Sequence, residues 1–296
     1  MITFKSLSEL PVKKASELWN LSFAEYQVDA SMPLDRFIDR IANEGLSLER
    51  SFACYVNEVP AAIVMNGFRE VGGRLTAWNG GTAVMPAFRR SGIGKALMSR
   101  NLELYKKEGV TRAILEAISS NERAIQLYER QGYTIIDRLK LLSCDKIIAI
   151  APVPDTHTYD LNRSPAAEAA AIPWFQPCDI WQAGLPSLRN GECIFATQEN
   201  QIVGYGLIRR TYDSAGKLVS IVLYRLEAVP GAGDQKAVLL TMLREIWQSG
   251  LVCKRTAFNI PASATLLLSL LEQLGFTEMM EQVLMAKDIS ALDQPG

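Results

Sequence analysis

This sequence of 296 residues contains a single histidine, no CxxC pair of cysteines and no long apolar run. The single histidine, His157, lies in "APVPDTHTYDLNRSP", which is rich in Pro, Asp, Thr and Asn and is typical of a connector. Catalytic triads that need histidine and His-ligated metal sites are therefore disfavoured, and we expect no metal.

The cysteines also exclude one class of protein. They form no CxxC pair, and their odd number argues against a disulfide framework. The five cysteines are Cys54, Cys144, Cys178, Cys193 and Cys253. Buried thiols of a reduced, cytoplasmic protein fit this pattern better. The opening "MITFKSLSEL" lacks the apolar core of a signal peptide, and no apolar run approaches the roughly 18 residues of a spanning helix. We therefore expect a soluble protein with no membrane partner.

The charges nearly balance, since 31 Lys and Arg residues and 32 Asp and Glu residues leave a net charge of -1. This balance gives no sign of a nucleic-acid partner or an anionic membrane, so any basic site must be local. The length predicts two domains of about 150 residues each, and 48% apolar residues suffice for a sizeable core.

Hydrophobic periodicity predicts a mixed α/β fold for the first half. The strand "ITF" precedes two helical patterns, "PVKKASELWNLSFAEYQ" and "PLDRFIDRIANEG", and three strands of an antiparallel meander. A helix that runs to about Lys107, the strand "RAILEAI", the helix "NERAIQLYERQ" and two closing strands in "YTIIDRLKLLSC" follow. The predicted order is β-α-α-β-β-β-α-β-α-β-β.

A glycine turn, "FRRSGIGKALMSR", joins the last meander strand to the following helix. Gly92 and Gly94 allow positive φ and close backbone approach, and the first N–H groups of the helix are free to bind an anion. Arg89, Arg90 and Lys95 add positive charge, so phosphate or pyrophosphate is the expected guest.

Two common phosphate-binding motifs do not fit this turn. A P-loop requires Ser or Thr after the lysine, and here Ala96 follows Lys95. A dinucleotide fingerprint requires a third glycine at position 97, which is Leu97.

The spacing Arg89-x-x-Gly92-x-Gly94 resembles the acetyl-CoA motif of the GNAT acyltransferases. A second stretch, "LEAISSNERAIQLYERQGY", resembles the other signature of that family, with Asn, Ala, and Tyr four residues before Gly. Both matches lie in the expected strand-turn-helix contexts, so the resemblance extends over residues 1 to about 145.

The resemblance implies a binding mode for acetyl-CoA. Its pantetheine arm enters where the last meander strand and the strand 112–118 diverge, and a backbone N–H there stabilises the oxyanion of the thioester. The amides from Arg90 to Lys95 hold the pyrophosphate, and Asn121 contacts CoA from the other side. The implied contacts are Val84, Met85, Arg89, Arg90, Ser91, Gly92, Gly94, Lys95, Asn121 and Tyr128.

Two side chains are candidates for proton transfer during direct attack by an amine on acetyl-CoA. Tyr128 lies where the family has its general acid, and Glu116 lies where some relatives that acetylate protein N-termini have their base. Each has an alternative: Tyr128 also shares an apolar stripe with Ala124 and Leu127, and Glu116 could be solvated or bind the acceptor.

The acceptor site is the part of the protein that the sequence predicts least well. Candidate wall residues are Phe23, Tyr26, Met32, Trp78 and Asn79, although aromatics at such positions also fit a core. The net charge selects no acceptor, and the sequence leaves a monomer and a homodimer open.

The second half resembles a repeat of the first. Its "RTAFNIPASATLLLSLLEQLGFTE" parallels "RAILEAISSNERAIQLYERQGYTI", but "VPGAGDQKA" lacks the glycine-turn spacing and puts Asp234 where the anion would lie. Aligning Gly275 with Gly132 puts Leu271 at the tyrosine position and Ala264 at the asparagine position. We therefore expect that this copy does not bind acetyl-CoA productively.

These observations predict two tandem GNAT-like folds. A catalytic domain is expected at 1–148, a linker at 149–165 and a degenerate GNAT-like domain at 166–296, with an unrelated α/β domain as the alternative for the last. The expected activity is acetyl-CoA-dependent N-acetyl transfer to a primary amine of a small molecule or peptide. The alternative is a non-catalytic acyl-CoA-binding or sensor protein.

Overall fold

A computed structural model describes residues 1–150, 159–231, 234–248 and 250–289 of the chain. The chain divides into two compact units. Unit 1 contains Met1–Ile136 together with the stretch from Val283 onward, and unit 2 contains Asp137–Gln282. The predicted connector histidine, His157, lies outside the described residues.

Unit 1 alternates strands and helices in the predicted order as far as its second signature. Its elements are β1 Ile2–Ser6, α1 Val12–Ser22, α2 Leu34–Glu44, β2 Leu46–Val56, β3 Val59–Val71, β4 Arg74–Val84, α3 Ile93–Lys107, β5 Arg112–Ile118 and α4 Glu122–Arg130. Short 3-10 turns lie at Leu7–Glu9 and Pro86–Phe88.

The sheet of unit 1 places β4 beside β5. Strands β1 to β4 form an antiparallel meander in chain order, and β5 then pairs with β4 in parallel. Helix α3 packs on this sheet through Leu97, Met98 and Tyr105, which are fully buried. Because only the 3-10 turn Pro86–Phe88 and the glycine turn separate α3 from β4, the first turn of α3 follows the end of that strand, where the predicted site residues are concentrated.

Unit 2 repeats the strand-turn-helix pattern. It holds most of β6 Thr134–Cys144, then β7 Asp160–Pro165, β8 Glu192–Gln198, β9 Gln201–Tyr212, β10 Leu218–Ala228, α5 Gln235–Trp247, β11 Lys254–Pro261 and α6 Thr265–Gln273. Three 3-10 turns, Ala166–Ala171, Trp181–Ala183 and Leu185–Ser187, stand where unit 1 has α1 and α2. β10 and β11 are parallel, as β4 and β5 are.

Two sequence expectations were wrong. "YTIIDRLKLLSC" is one continuous strand, β6, because no turn residue interrupts it and its residues from Leu139 to Cys144 pair with β11. Residues 160–165, predicted as linker, form β7, which pairs with β8 from Asp160–Thr197 to Pro165–Glu192.

The last strand also divides the chain differently from the predicted boundaries. β12 spans Thr277–Asp288, and its residues from Val283 onward belong to unit 1. Asp288 accepts hydrogen bonds there from Arg74 at 2.7 Å and from Arg112 at 3.2 Å. Unit 1 is therefore not a continuous stretch of sequence, which local patterns do not reveal.

Candidate active site

A gap opens between β4 and β5 in unit 1. Paired residues run from Thr76–Arg112 to Asn79–Leu115, and within the described residues the pairing goes no further. β4 nevertheless continues to Val84 and β5 to Ile118. The two strands thus leave backbone groups without a strand partner, at the gap that the family resemblance implies.

The ladder between β3 and β4 shows which backbone group faces the gap. The Met85 N–H donates to the Ala61 oxygen at 2.8 Å. Bonded and non-bonded positions alternate in an antiparallel pair, so Val84, opposite Ala62, directs its N–H and carbonyl away from β3. The Val84 carbonyl accepts from Arg89 Nε at 3.0 Å. Its N–H is therefore the group aimed at the gap, whereas the Met85 N–H is already bonded.

The glycine turn leaves the start of α3 open. Gly92, the N-cap, has a φ of 84°, and no side chain caps the helix. Ala96 N–H donates to the Gly92 oxygen, so the three N–H groups at 93–95 precede the first intrahelical bond. A Cβ built on Gly92 would meet no heavy atom within 4 Å. The turn therefore presents free donors to open space, as an anion site requires.

The second glycine has a different task. A Cβ on Gly94 would lie 3.3 Å from Leu127 Cδ2 of α4. Gly94 thus lets α3 and α4 approach closely, while the left-handed conformation of the turn is confined to Gly92 and to Arg90, whose φ is 65°.

The basic residues of the turn divide into two groups. Arg89 is half-buried and binds carbonyl oxygens through all three nitrogens: Nε to Val84, Nη2 to Ala24 at 2.5 Å and Nη1 to Glu25 at 3.4 Å. Arg90 and Lys95 are exposed. The exposed pair is free to meet an anion, whereas the guanidinium of Arg89 holds the loop after α1.

Ser91 supports the same turn. It is exposed, and its hydroxyl donates to the Phe88 oxygen at 2.6 Å. This bond joins the 3-10 turn at Pro86–Phe88 to the start of α3.

Tyr128 lies on the inner face of α4. Its side chain is 8% exposed and packs in a cluster with Tyr133 and Ala117. Burial, with a smaller contribution from Tyr26, raises the pKa of Tyr128 well above its ordinary value. The phenol is therefore protonated throughout the neutral range, as a proton donor must be. The packing alternative and the acid role are compatible in this position.

Asn121 joins α4 to the loop after α1. Its Oδ1 accepts from Ala124 N–H at 3.3 Å, which caps α4, and its Nδ2 donates to the Tyr26 hydroxyl at 2.9 Å. The next loop residue, Gln27, shares a hydrogen bond of 3.2 Å with Ser120. Burial raises the pKa of Tyr26, which lies beside these groups.

These contacts define a strap, residues 24–27, between the two elements that flank the gap. Arg89 holds the strap from the β4 side, and Ser120 and Asn121 hold it from the β5 side. Phe23 precedes the strap and packs on Tyr26 and Trp19, with ring centroids 5.2 Å and 4.1 Å apart.

Glu116 and Trp78 form a pair. The Trp78 Nε1 donates to Glu116 Oε2 at 2.6 Å, and the indole is 1% exposed. Asn79 is also buried and accepts from Gly81 N–H and Thr82 Oγ1, which supports the irregular register beside Met65. Trp78 and Asn79 thus support the site from within, while half-buried Phe23, Tyr26 and Met32 remain the candidates for an acceptor wall.

Sequence reasoning missed Arg40. Its Nη2 donates to the Gly80 oxygen at 2.5 Å, and its guanidinium lies 4.6 Å from the Trp19 ring centroid. A Cβ on Gly81 would lie 2.5 Å from Trp19, so that glycine admits the indole. The pair Gly80-Gly81 indicates close packing in the sequence, but the sequence does not predict that Trp19 and Arg40 are the partners.

In unit 2 the corresponding helix start is closed. Asp234 is the N-cap of α5, and its Oδ1 accepts from Ala237 N–H at 2.9 Å. The side chains at the aligned positions 264 and 271 are Ala and Leu.

Among the described residues, no group of three or more His, Cys, Asp or Glu side chains could hold a metal ion. No helix in the described ranges is long and apolar enough to cross a membrane.

Comparison with known proteins finds a family match within unit 1. Residues 13–133 match the model of the acetyltransferase (GNAT) family. The chain is 41% identical over 51 residues to the [ribosomal protein bS18]-alanine N-acetyltransferase of Escherichia coli strain K12. That match covers 17% of this chain and 34% of the relative, so the chain spans about a third of the curated relative's length.

Solved structures resemble the whole chain in fold. A tandem GNAT protein from the clavulanic acid biosynthesis pathway has a TM-score of 0.63 at 13% identity, covering 97% of this chain and 98% of its own. A putative acetyltransferase from Pyrococcus horikoshii has a TM-score of 0.59 at 15% identity, covering 100% and 91%. The predicted tandem GNAT fold is confirmed, and an unrelated second domain is excluded.

Proposed function

We propose that unit 1 transfers an acetyl group from acetyl-CoA to a primary amine of a small molecule or peptide, because residues 13–133 match the model of the acetyltransferase (GNAT) family. One observation carries this proposal: the uncapped helix start at Gly92 and the Val84 N–H occur together at the end of β4. The first suits a diphosphate, and the second suits a carbonyl oxygen.

The residues present fit acetyl-CoA. Free N–H groups at 93–95 and the charges of Arg90 and Lys95 would hold the pyrophosphate. The gap between β4 and β5 offers backbone groups to the amides of the pantetheine arm. When bound, acetyl-CoA supplies an activated acetyl group, and the chain supplies binding, orientation and proton transfer.

The Val84 N–H is the proposed donor to the thioester oxygen. Its direction away from β3 follows from the ladder, and a backbone donor fixed in a strand needs no reorganisation during the reaction. We assign this role to Val84 rather than Met85, since the Met85 N–H is bonded to Ala61.

Two side chains would move the protons. Glu116, on β5 at the gap, would take a proton from the attacking amine, and Trp78 holds one of its oxygens in place. The Tyr128 hydroxyl would give a proton to the departing thiolate, because its raised pKa keeps it protonated. Proton balance is complete: one leaves the amine and one reaches the sulfur.

The relative and the site both support a proposal for the acceptor class. The E. coli relative is named as an alanine N-acetyltransferase of ribosomal protein bS18. For this chain, an amine bordered by Glu116 and by the half-buried Phe23, Tyr26 and Met32 is the proposed acceptor. Asn121 donates to the Tyr26 hydroxyl, so a contact with CoA would either replace this hydrogen bond or add to it.

A thiol-release assay tests the proposal. The full chain is incubated with acetyl-CoA and a panel of amines that includes peptides with N-terminal alanine, and free thiol is followed over time. We expect turnover with at least one amine and formation of its acetylated product. Tight CoA binding without turnover on any amine would favour the sensor alternative, and absence of CoA binding would refute both.

A further inference from the structure

Unit 2 contains a pocket of about 90 Å³ where β10 and β11 stop pairing. Their last paired residues are Leu223 and Ala257, and the walls come from the next residues of both strands, the start of α6 and residues 178–183. β10 and β11 correspond to β4 and β5, so this pocket is the counterpart of the gap in unit 1.

The pocket is built for something smaller than a nucleotide cofactor. Asp234 caps α5 and puts a carboxylate where a diphosphate would need free N–H groups. A dry cavity of about 150 Å³ holds benzene, so the smaller volume here fits a short chain of a few heavy atoms. Ile260, Ala264 and Leu267 make its walls mainly apolar.

The polar part of the pocket is a paired charge. Arg225 Nε donates to Glu227 Oε1 at 2.5 Å, and its Nη1 donates to the Gln176 oxygen at 2.7 Å. The Tyr205 hydroxyl donates to the other Glu227 oxygen at 3.0 Å. The Arg225 side chain is 11% exposed, and its Nη2 is bonded to no described residue.

This arrangement selects a neutral ligand that accepts a hydrogen bond. Glu227 already balances the charge of Arg225, so a carboxylate ligand would bring a second negative charge to one guanidinium. An amine would meet the cation itself. A carbonyl oxygen, by contrast, needs only the donor that Nη2 offers.

We propose that this pocket binds a short neutral acyl compound, such as an amide or ester, with its carbonyl oxygen on Arg225 Nη2 and its chain against Ile260 and Leu267. The proposal concerns unit 2 alone and does not depend on acetyl transfer in unit 1.

Cys178 offers a reporter within the pocket. It lines the cavity and is half-buried, whereas the four other cysteines are buried. Iodoacetamide and iodoacetate have the same size and the same reaction: the sulfur bonds to the methylene carbon, iodide leaves and the thiol proton goes to the buffer. They differ as neutral amide and carboxylate, so their relative rates at Cys178 measure the preference of the pocket.

Mass spectrometry of the full chain gives these rates at Cys178, with the urea-unfolded chain as the intrinsic reference. We expect the amide-to-acid rate ratio to be roughly fivefold higher in the folded protein, the factor for one net hydrogen bond. Propionamide should slow the labelling, and propionate should not. Equal ratios in the two states, or a folded preference for iodoacetate, would overturn the proposal.

Two variants of α6 test whether the labelling preference depends on the pocket itself. Leu267→Phe fills the cavity and should abolish both the preference and the protection by propionamide. Leu266→Phe changes the adjacent residue, which is 36% exposed and does not line the cavity, and should retain both. Ligand-observed NMR with propionamide and propionate repeats the test without the thiol; signals from propionate alone, or from neither compound, would also overturn it.

Discussion

The first turns of α3 and α5 occupy the same place in two related folds and differ at the N-cap. Gly92 leaves the N–H groups of α3 open, whereas the Asp234 carboxylate caps α5. A capping carboxylate bonds one of the free N–H groups and adds a negative charge, so it repels the anion that an uncapped helix start attracts. An anion site therefore needs an open helix start, and a capping carboxylate is enough to remove it.

The second signature gives the same contrast. Gly132 and Gly275 both have a φ of 85° after α4 and α6, so the position that ends the helix is kept. The aligned positions of Glu116, Asn121 and Tyr128 hold Asn259, Ala264 and Leu271. Residues that shape the fold thus persist in unit 2, while the proposed chemical groups do not.

The largest expected effect comes from closing the open helix start. Gly92→Val puts a β-branched side chain in the space above the turn, and we expect CoA affinity to fall by about 100-fold or more, or roughly 2.7 kcal/mol. Isothermal titration calorimetry with CoA measures it.

Gly109→Val is the matched control, because Gly109 ends the same helix with a φ of 71° and also faces open space. It brings similar backbone strain of about 1–2 kcal/mol without touching the turn. Equal losses of CoA affinity in the two variants would show that strain, rather than the turn, explains the result.

The next effect concerns the residue that unit 2 replaces with leucine. Tyr128→Phe removes the proposed acid and should lower kcat about 100-fold or more, while CoA affinity changes less than about threefold. Steady-state kinetics and calorimetry give the two values.

Tyr133→Phe is its control, since the Tyr133 hydroxyl is fully buried and has no partner among the described residues. Its loss should leave kcat nearly unchanged. An unchanged rate in Tyr128→Phe would remove the acid assignment.

The pH profile sharpens the same assignment. Because burial raises the pKa of Tyr128, the phenol stays protonated below and above the ordinary tyrosine value of about 10. Turnover should therefore show no alkaline decline from this group up to about pH 10. A decline in wild type near pH 8 that disappears in Tyr128→Phe would contradict the raised pKa.

Sequence patterns predicted the turn and the repeat because these depend on spacing and helix ends, whereas the gap was implied by the family resemblance. Gly92, Gly109 and Gly132 all have the positive φ expected of residues that begin or end helices. Arg89 was different: its motif predicted a phosphate contact, but its partners are carbonyls brought close by the fold. The sequence likewise could not predict that residues from Val283 onward belong to unit 1, since strand partners are set by tertiary packing.

A smaller effect tests that reinterpretation of Arg89. Arg89→Ala releases the strap, and we expect the acceptor KM to rise about tenfold while CoA affinity changes less than about threefold. Arg90→Ala, on the adjacent exposed residue, should show the opposite split. Lower CoA affinity with an unchanged acceptor KM in Arg89→Ala would return this arginine to the pyrophosphate.

The smallest effect reopens the closed helix start. Asp234→Ala removes the acceptor of the Ala237 N–H, and loss of a cap costs about 1 kcal/mol. Hydrogen exchange at Ala237 should accelerate roughly fivefold, whereas Asp234→Asn, which keeps an acceptor oxygen, should exchange nearly as wild type. Neither variant should bring CoA binding to unit 2, because the turn there also lacks the glycine spacing and basic residues of unit 1. CoA binding gained by Asp234→Ala would show that the cap alone separates the two units.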